Sequence, residues 1–236
     1  MNIRTQSILE AAIKEYIKSG EPISSKELAR KYGFGVKDAT IRAELNQLTK
    51  EGFLEQQHTS GGRVPTDRGY QLFVGNTLSN VMTSRQILKG HYGLLAEDLR
   101  KGHLRDFVEG FAEEAKLLGA GHKNMEPQVF KSGLNDLFAK LDLSAKKEFQ
   151  EIVEDFDMLD KRLHQWGSRV FKMPQVFIGK KSPITKSQNL SVIMDSYNVG
   201  GNKFLIAMIG PKRMEYDKNL NLFKLLRKAL ENSSNS

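Results

Sequence analysis

A chain of 236 residues with 39% hydrophobic and 27% charged side chains is long enough for two small domains that each bury a core. The net charge of +8 favours an acidic partner such as nucleic acid. The absence of cysteine excludes disulfides and thiolate chemistry. The N-terminus lacks a signal peptide and no stretch reaches the roughly 20 apolar residues of a membrane span, so we expect a soluble cytoplasmic protein without membrane contact.

Apolar residues at helical spacing predict three helices in the first 52 residues. The first runs from about Ile3 to Ser19, with Glu15 on its polar face. Ser24 or Ser25 can cap a short second helix. The inner stripe of the third helix consists of Ile41, Leu45 and Leu48.

A hairpin and a fourth helix follow. Residues 53–57 look extended, Gly61-Gly62 marks the hairpin tip, and the return strand runs out at Arg63-Val64. Pro65-Thr66 then opens a helix. This order of elements is typical of a winged helix-turn-helix, which we predict for residues 1–82.

The rest of the chain predicts an α+β fold. Residues 83–124 are interpreted as a helical connector or dimerisation segment that ends in a glycine-containing linker over residues 119–124. Residues 125–236 form the second predicted domain. Its expected elements are a short strand at 129–130, a helix over about 144–165, strands at 176–179, 190–194 and 204–209, and a last helix over 216–230.

The third helix carries the predicted DNA contacts. Its small outward Ala43 would allow a close approach to base edges, Asn46 and Gln47 can bond adenine, and Arg42 or Lys37 can reach guanine or a phosphate. The hairpin adds a phosphate contact from Arg63 and the backbone beside it. The complete predicted set is Ser25, Lys37, Asp38, Thr40, Arg42, Ala43, Asn46, Gln47, His58, Thr59, Ser60 and Arg63.

Two alternatives accompany this prediction. The first domain could instead dock another protein, with its cations as solvated surface charges. The second domain could be a small-molecule sensor or a hydrolase, which would need a deep pocket with convergent polar groups. The histidines lack metal-site spacing, Gly200-Gly201 fits a hairpin turn, and Asp155 with its acidic neighbours fits a solvated helix face. We therefore predict neither an enzyme nor a metal or cofactor.

Several motifs together resemble the HrcA family of bacterial heat-inducible transcription repressors. The resemblance covers about residues 3–80 and 128–230. In the first of these ranges it rests on Tyr16-Ile17, Gly20-Glu21-Pro22, Ala39-Thr40-Ile41-Arg42, His58-Thr59-Ser60 and Gly62 through Tyr70. In the second it rests on Ser191-Val192, Tyr197, Gly200-Gly201 and Gly210 through Tyr216.

The resemblance implies a winged-helix dimer that binds an inverted-repeat operator upstream of chaperone genes and depends on the chaperonin for its activity. It also implies a GAF-like regulatory domain with a dimerisation insert, reduced here because residues 83–124 are shorter than the corresponding region of the family. At three positions where the family more often has small polar residues and Asn, this sequence has Lys37, Asp38 and Ala43. These differences predict a drifted operator or a different target operon. Thr40, Arg42, His58, Ser60 and Arg63 match the family.

Overall fold

A computed structural model describes residues 1–56, 62–79, 91–141 and 146–232. The chain divides into two compact units, Met1–Val81 and Met82–Ser236, which we call the first and the second unit. Both helices and strands are present, so the fold is α+β as predicted. Within the described ranges, no helix combines the length and the hydropathy that crossing a membrane would need.

The first unit follows the predicted order of three helices, two short strands and a fourth helix. These elements are α1 (Ile3–Ser19), α2 (Ser25–Lys31), α3 (Asp38–Lys50), β1 (Leu54–Glu55), β2 (Val64–Pro65) and α4 (Asp67–Ser79). Asn2 caps α1 by accepting from the Thr5 amide, and α1 ends where Gly20 adopts a left-handed φ of 74°. Ser24 and Glu27 form a capping box at α2, which settles the choice between Ser24 and Ser25.

The two strands of the first unit are shorter than predicted. β1 and β2 pair antiparallel through Leu54 with Pro65 and through Glu55 with Val64. Pro65 therefore belongs to a strand, and the prediction that it opens the fourth helix is wrong. α4 begins at Asp67, and the hydroxyl of Thr66 accepts from the Gly69 amide at 3.2 Å, as a capping side chain does.

The second unit contains an antiparallel sheet covered by helices. Its elements are α5 (His91–Lys101), α6 (Leu104–Ala115), β3 (Leu118–Lys123), β4 (Val129–Ser132), α7 (Leu134–Phe138), α8 (Lys146–Trp166), β5 (Gln175–Ile178), β6 (Leu190–Val199), β7 (Asn202–Pro211) and α9 (Tyr216–Asn232). The strand order is β4-β3-β7-β6-β5 in the described residues. Gly200 and Gly201 adopt φ of 57° and 78° between β6 and β7, which confirms the predicted turn.

The predicted linker at residues 119–124 is wrong, because β3 pairs with both β4 and β7 and lies inside the sheet. The glycines there serve close packing. A Cβ at Gly121 would lie 2.6 Å from Cγ2 of Val108 and 2.9 Å from Cδ1 of Leu104, both on α6. The absent side chain lets α6 lie directly on the strand. Residues 91–123 lie within the predicted connector over 83–124 and belong to the second unit, and the dimerisation role of that connector stays a prediction.

Two carboxylates of the second unit are buried. Asp195 on β6 is fully buried and pairs with Arg227 on α9, which also donates to the carbonyl of Phe171 at 3.2 Å. Asp155 on α8 is 1% exposed. The prediction of a solvated helix face therefore fails at Asp155, since α8 turns this carboxylate toward the loop before β6.

Candidate nucleic-acid interface

The inner and outer faces of α3 separate as the spacing predicts. Ile41, Leu45 and Leu48 are at most 2% exposed and pack in the core of the first unit. The predicted contact residues that α3 and its N-cap expose are Lys37, Arg42, Ala43, Asn46 and Gln47. Asp38 and Thr40 are half-buried. One face of the helix therefore offers two cations and two amides around a small side chain.

The orientation of α3 depends on a carboxylate that the sequence analysis did not single out. Glu44 accepts from Nη2 of Arg4 at 2.8 Å and from the hydroxyl of Thr5 at 2.5 Å, and both of these residues belong to α1. These hydrogen bonds, from Thr5 first and then from Arg4, lower the pKa of Glu44. Glu44 thereby anchors α3 to α1.

A second carboxylate fixes α2 against α1. Glu15 is 7% exposed, so its predicted place on the polar face of α1 is wrong. It accepts from the ammonium of Lys31 and, at 3.0 Å, from the hydroxyl of Tyr32. The hydrogen bond from Lys31 is the main reason that the pKa of Glu15 is lowered. The burial of Glu15 was hard to predict from the sequence, because periodicity alone does not distinguish a buried carboxylate with a partner from a solvated one.

We expect low pH to remove the stability that Glu15 and Glu44 contribute to the first unit. Glu15 and Glu44 both have a folded pKa below the ordinary 4.5, so the unfolded chain binds more protons as the pH falls. Their stabilising contribution is complete above that ordinary value and is lost as the pH falls through the folded pKa. Urea unfolding followed by circular dichroism from about pH 6 to about pH 3.5 measures this loss.

The Glu44→Gln variant isolates the contribution of one carboxylate. We expect it to be less stable than the parent protein at neutral pH and to lose less stability on acidification. The matched control is Glu55→Gln, which changes an exposed carboxylate of β1. We expect it to lose as much stability on acidification as the parent protein does. Equal acid sensitivity of the parent and of Glu44→Gln would contradict this assignment.

The polar side chains on the exposed face of α3 have partners within the first unit. Arg42 lies 3.4 Å from the carboxylate of Asp38 one turn earlier. Gln47 donates to Glu51 at 2.7 Å. Asn46 accepts from Nη2 of Arg63, beside β2, at 2.5 Å. The structure thus brings Arg63 to α3 itself, whereas the sequence pattern predicted a separate phosphate contact at the hairpin.

Four of the predicted contact residues are either buried or outside the described residues. Ser25 is only 8% exposed, so its side chain has little surface to offer a ligand, and we remove it from the set. His58, Thr59 and Ser60 lie outside the described residues. Thr49 was missed. It joins the site because its hydroxyl accepts from Nε of Arg63 at 3.1 Å, a contact made across 14 residues that no local pattern encodes.

The second unit contains a cavity of about 500 Å³ beside the edge strand β4. Three of the four charged side chains that line it have protein partners. Lys131 donates to Asp160 at 2.6 Å, and the guanidinium of Arg105 stacks on the Phe130 ring at 4.9 Å. In the described part of the chain, no group of three or more His, Asp or Glu could hold a metal ion.

Comparison with known proteins relates most of the chain to one family. A family model described as the HrcA protein C-terminal domain matches residues 70–220, more than half of the chain. A protein of Natranaerobius thermophilus named heat-inducible transcription repressor HrcA is 45% identical over 86 residues, which are 36% of this chain and 25% of that protein. A Clostridium perfringens protein of the same name is 54% identical over 71 residues, 30% of this chain and 21% of that protein.

The match therefore spans a quarter or less of the length of these curated relatives. A likeness of fold extends further. A crystal structure of a hypothetical protein at 2.2 Å resolution aligns over the whole of both chains with a TM-score of 0.71 and 16% identity. At that level of identity the likeness concerns the fold alone.

Proposed function

The chain belongs to the HrcA family, and on that premise we propose that it is a DNA-binding transcriptional repressor rather than an enzyme. Its first unit acts as a winged helix-turn-helix in which α3 enters the major groove and the β1–β2 hairpin lies beside the phosphate backbone. The observation that carries the proposal is the exposed face of α3. There Arg42, Asn46 and Gln47 stand around Ala43, beside the hairpin residue Arg63.

This face suits a base edge better than a protein partner. Its outward groups are cations and amides, which bind the acceptors and donors of a groove. The small side chain of Ala43 allows the helix backbone to approach them. The proposed contact set is Lys37, Asp38, Thr40, Arg42, Ala43, Asn46, Gln47 and Arg63, together with His58, Thr59 and Ser60 from the part of the chain that is not described.

The regulatory part of the proposal follows from family membership. We propose that a homodimer occupies an inverted-repeat operator of chaperone genes and blocks transcription sterically, with activity that depends on temperature or on the chaperonin. Two relatives named heat-inducible transcription repressors support this reading. The α+β second unit acts as a reduced GAF-like regulatory domain. Residues 1–82 remain the proposed limits of the DNA-binding domain, and residues 125–236 remain part of the proposed regulatory domain, together with β3, which lies inside its sheet.

Fluorescence anisotropy tests the proposal directly. The full chain is titrated onto a palindromic chaperone-promoter duplex and onto a scrambled duplex at several salt concentrations. We expect selective binding to the promoter duplex. Arg42→Ala should weaken it by roughly 1 to 3 kcal/mol, because the variant removes a side chain that can reach guanine or a phosphate.

A matched variant separates this effect from the general loss of positive charge. Arg213→Ala removes an exposed arginine from outside the proposed contact set, and we expect it to bind as the parent protein does. Equal, weak and purely salt-driven binding to both duplexes would refute operator recognition. It would leave a non-specific binder or a protein-docking module as the better description.

A further inference from the structure

The side chain of Arg63 lies across one turn of α3. Its Nη2 donates to Oδ1 of Asn46 at 2.5 Å, and its Nε donates to Oγ1 of Thr49 at 3.1 Å. The Thr49 hydroxyl donates in turn to the carbonyl of Leu45 at 2.9 Å, so its lone pairs are left to accept from Arg63. The guanidinium therefore joins two side chains three residues apart.

The backbone of Arg63 is fixed as well. Its amide donates to the carbonyl of Ile23 at 2.8 Å, and its carbonyl accepts from the Ile23 amide at 2.9 Å. A Cβ at Gly62 would lie 2.6 Å from the carbonyl carbon and oxygen of Pro22, so the chain passes close to the residues before α2. Both ends of the Arg63 side chain are thus held by the fold of the first unit.

This contact determines which way the Asn46 amide points. A guanidinium has only donors, so the atom of Asn46 that faces Arg63 must be the oxygen. The amide nitrogen therefore points away from Arg63, and the Asn46 side chain is exposed. Asn46 consequently turns its hydrogen-bond donors toward a ligand, while its oxygen faces Arg63 and accepts from that guanidinium through one of its lone pairs.

We propose that Arg63 is a positioning residue that makes Asn46 read the operator through its amide donors. This inference rests on the proposed function and adds a base preference to it. An amide that recognises adenine uses one acceptor and one donor against N6 and N7. Asn46 with its donors turned toward the DNA instead suits guanine, which offers O6 and N7, or thymine, which offers O4. At adenine its donors would face the donor N6.

Selection from a randomised duplex library with the full chain provides the test. The Asn46→Ala variant identifies the base pair whose preference depends on that side chain. At this base pair we expect the parent protein to prefer guanine or thymine over adenine by about tenfold. Arg63→Met should reduce this preference severalfold or reverse it, because the freed amide can then present its oxygen, while preferences at other positions stay unchanged.

Thr49→Val supplies a second variant that keeps the charge of Arg63. It removes the hydroxyl that accepts from Nε of the guanidinium, and it should shift the same base preference in the same direction. Thermal unfolding establishes that the variants are folded. If Arg63→Met does not fold, the Thr49→Val result decides the question.

The possible outcomes separate this inference from the proposed function. Failure of the parent protein to enrich any sequence would overturn operator recognition and this inference with it. Enrichment without a position that depends on Asn46, or with adenine preferred there, would overturn only the inference. A third result would also overturn only the inference. In it, both variants keep the base preferences of the parent protein, and Arg63→Met weakens binding to all duplexes equally and lowers the salt slope by about one. That result is the signature of a phosphate contact.

Discussion

Replacing Asp155 with alanine is expected to destabilise the second unit by about 3 to 5 kcal/mol. The carboxylate accepts from the backbone amides of Lys186 and Ser187 at 2.7 Å and from Nη1 of Arg162 at 2.6 Å. It thereby joins α8 to the loop before β6. Alanine would leave a guanidinium that is only 16% exposed and two backbone donors without this acceptor, and such unpaired buried groups are costly.

Urea unfolding followed by Trp166 fluorescence measures this effect, because Trp166 ends α8 and packs beside Phe171 and Phe177. The matched control is Asp157→Ala, which removes an exposed carboxylate two residues away on the same helix. We expect its free energy of unfolding to stay within about 0.5 kcal/mol of the parent value. Similar midpoints for the two variants would mean that Asp155 does not anchor the loop.

Gly69→Ala is expected to destabilise the first unit by about 3 kcal/mol. Gly69 lies in the first turn of α4, where an added Cβ would lie 2.2 Å from the carbonyl oxygen of Phe53. Real atoms do not approach so closely, and the neighbouring atoms belong to the backbone. Either α4 or the segment before β1 would therefore have to move, and the hydrogen bond from the Thr66 amide to the Phe53 carbonyl, at 3.1 Å, would be strained.

Gly75→Ala is the matched control on the same helix. A Cβ at Gly75 meets no atom within 4 Å, so alanine should be neutral or should stabilise α4 by up to about 1 kcal/mol through its helix propensity. Differential scanning calorimetry of the full chain compares both variants with the parent protein. We expect the unfolding temperature to fall for Gly69→Ala and to stay unchanged or rise for Gly75→Ala. An unchanged transition for Gly69→Ala would show that the close approach to Phe53 does not exist in solution.

The helices of the first unit were predictable because the information that specifies them is local. The stripe of Ile41, Leu45 and Leu48 defines the inner face of α3 by spacing alone, and the same geometry identifies Asn46 as outward. The capping box at Ser24 and the left-handed Gly20 mark helix ends within a few residues. The hairpin turn at Gly200-Gly201 belongs to the same class, since two successive positive φ angles favour glycine.

The errors arose where one residue type serves two purposes. Gly119 and Gly121 suggested a linker because glycine is common in flexible segments, but here they let α6 pack on β3. Glu15 and Asp155 suggested solvated faces because most carboxylates are solvated. Each has a partner on another segment, Lys31 at 16 residues from Glu15 and the Lys186 amide at 31 residues from Asp155, so neither burial was visible in a helical pattern.

The sequence by itself therefore determined the helical faces, the turn glycines and the identity of the groups that α3 can present. It also carried the resemblance to the family to which the chain belongs. Only the tertiary structure decided how those groups are oriented. Arg63 holds the oxygen of Asn46, and Glu44 anchors α3 to α1, through contacts across 17 and 40 residues. The physical reason is that spacing fixes the direction of a side chain relative to its own helix, whereas hydrogen-bond partners depend on which segments folding brings together.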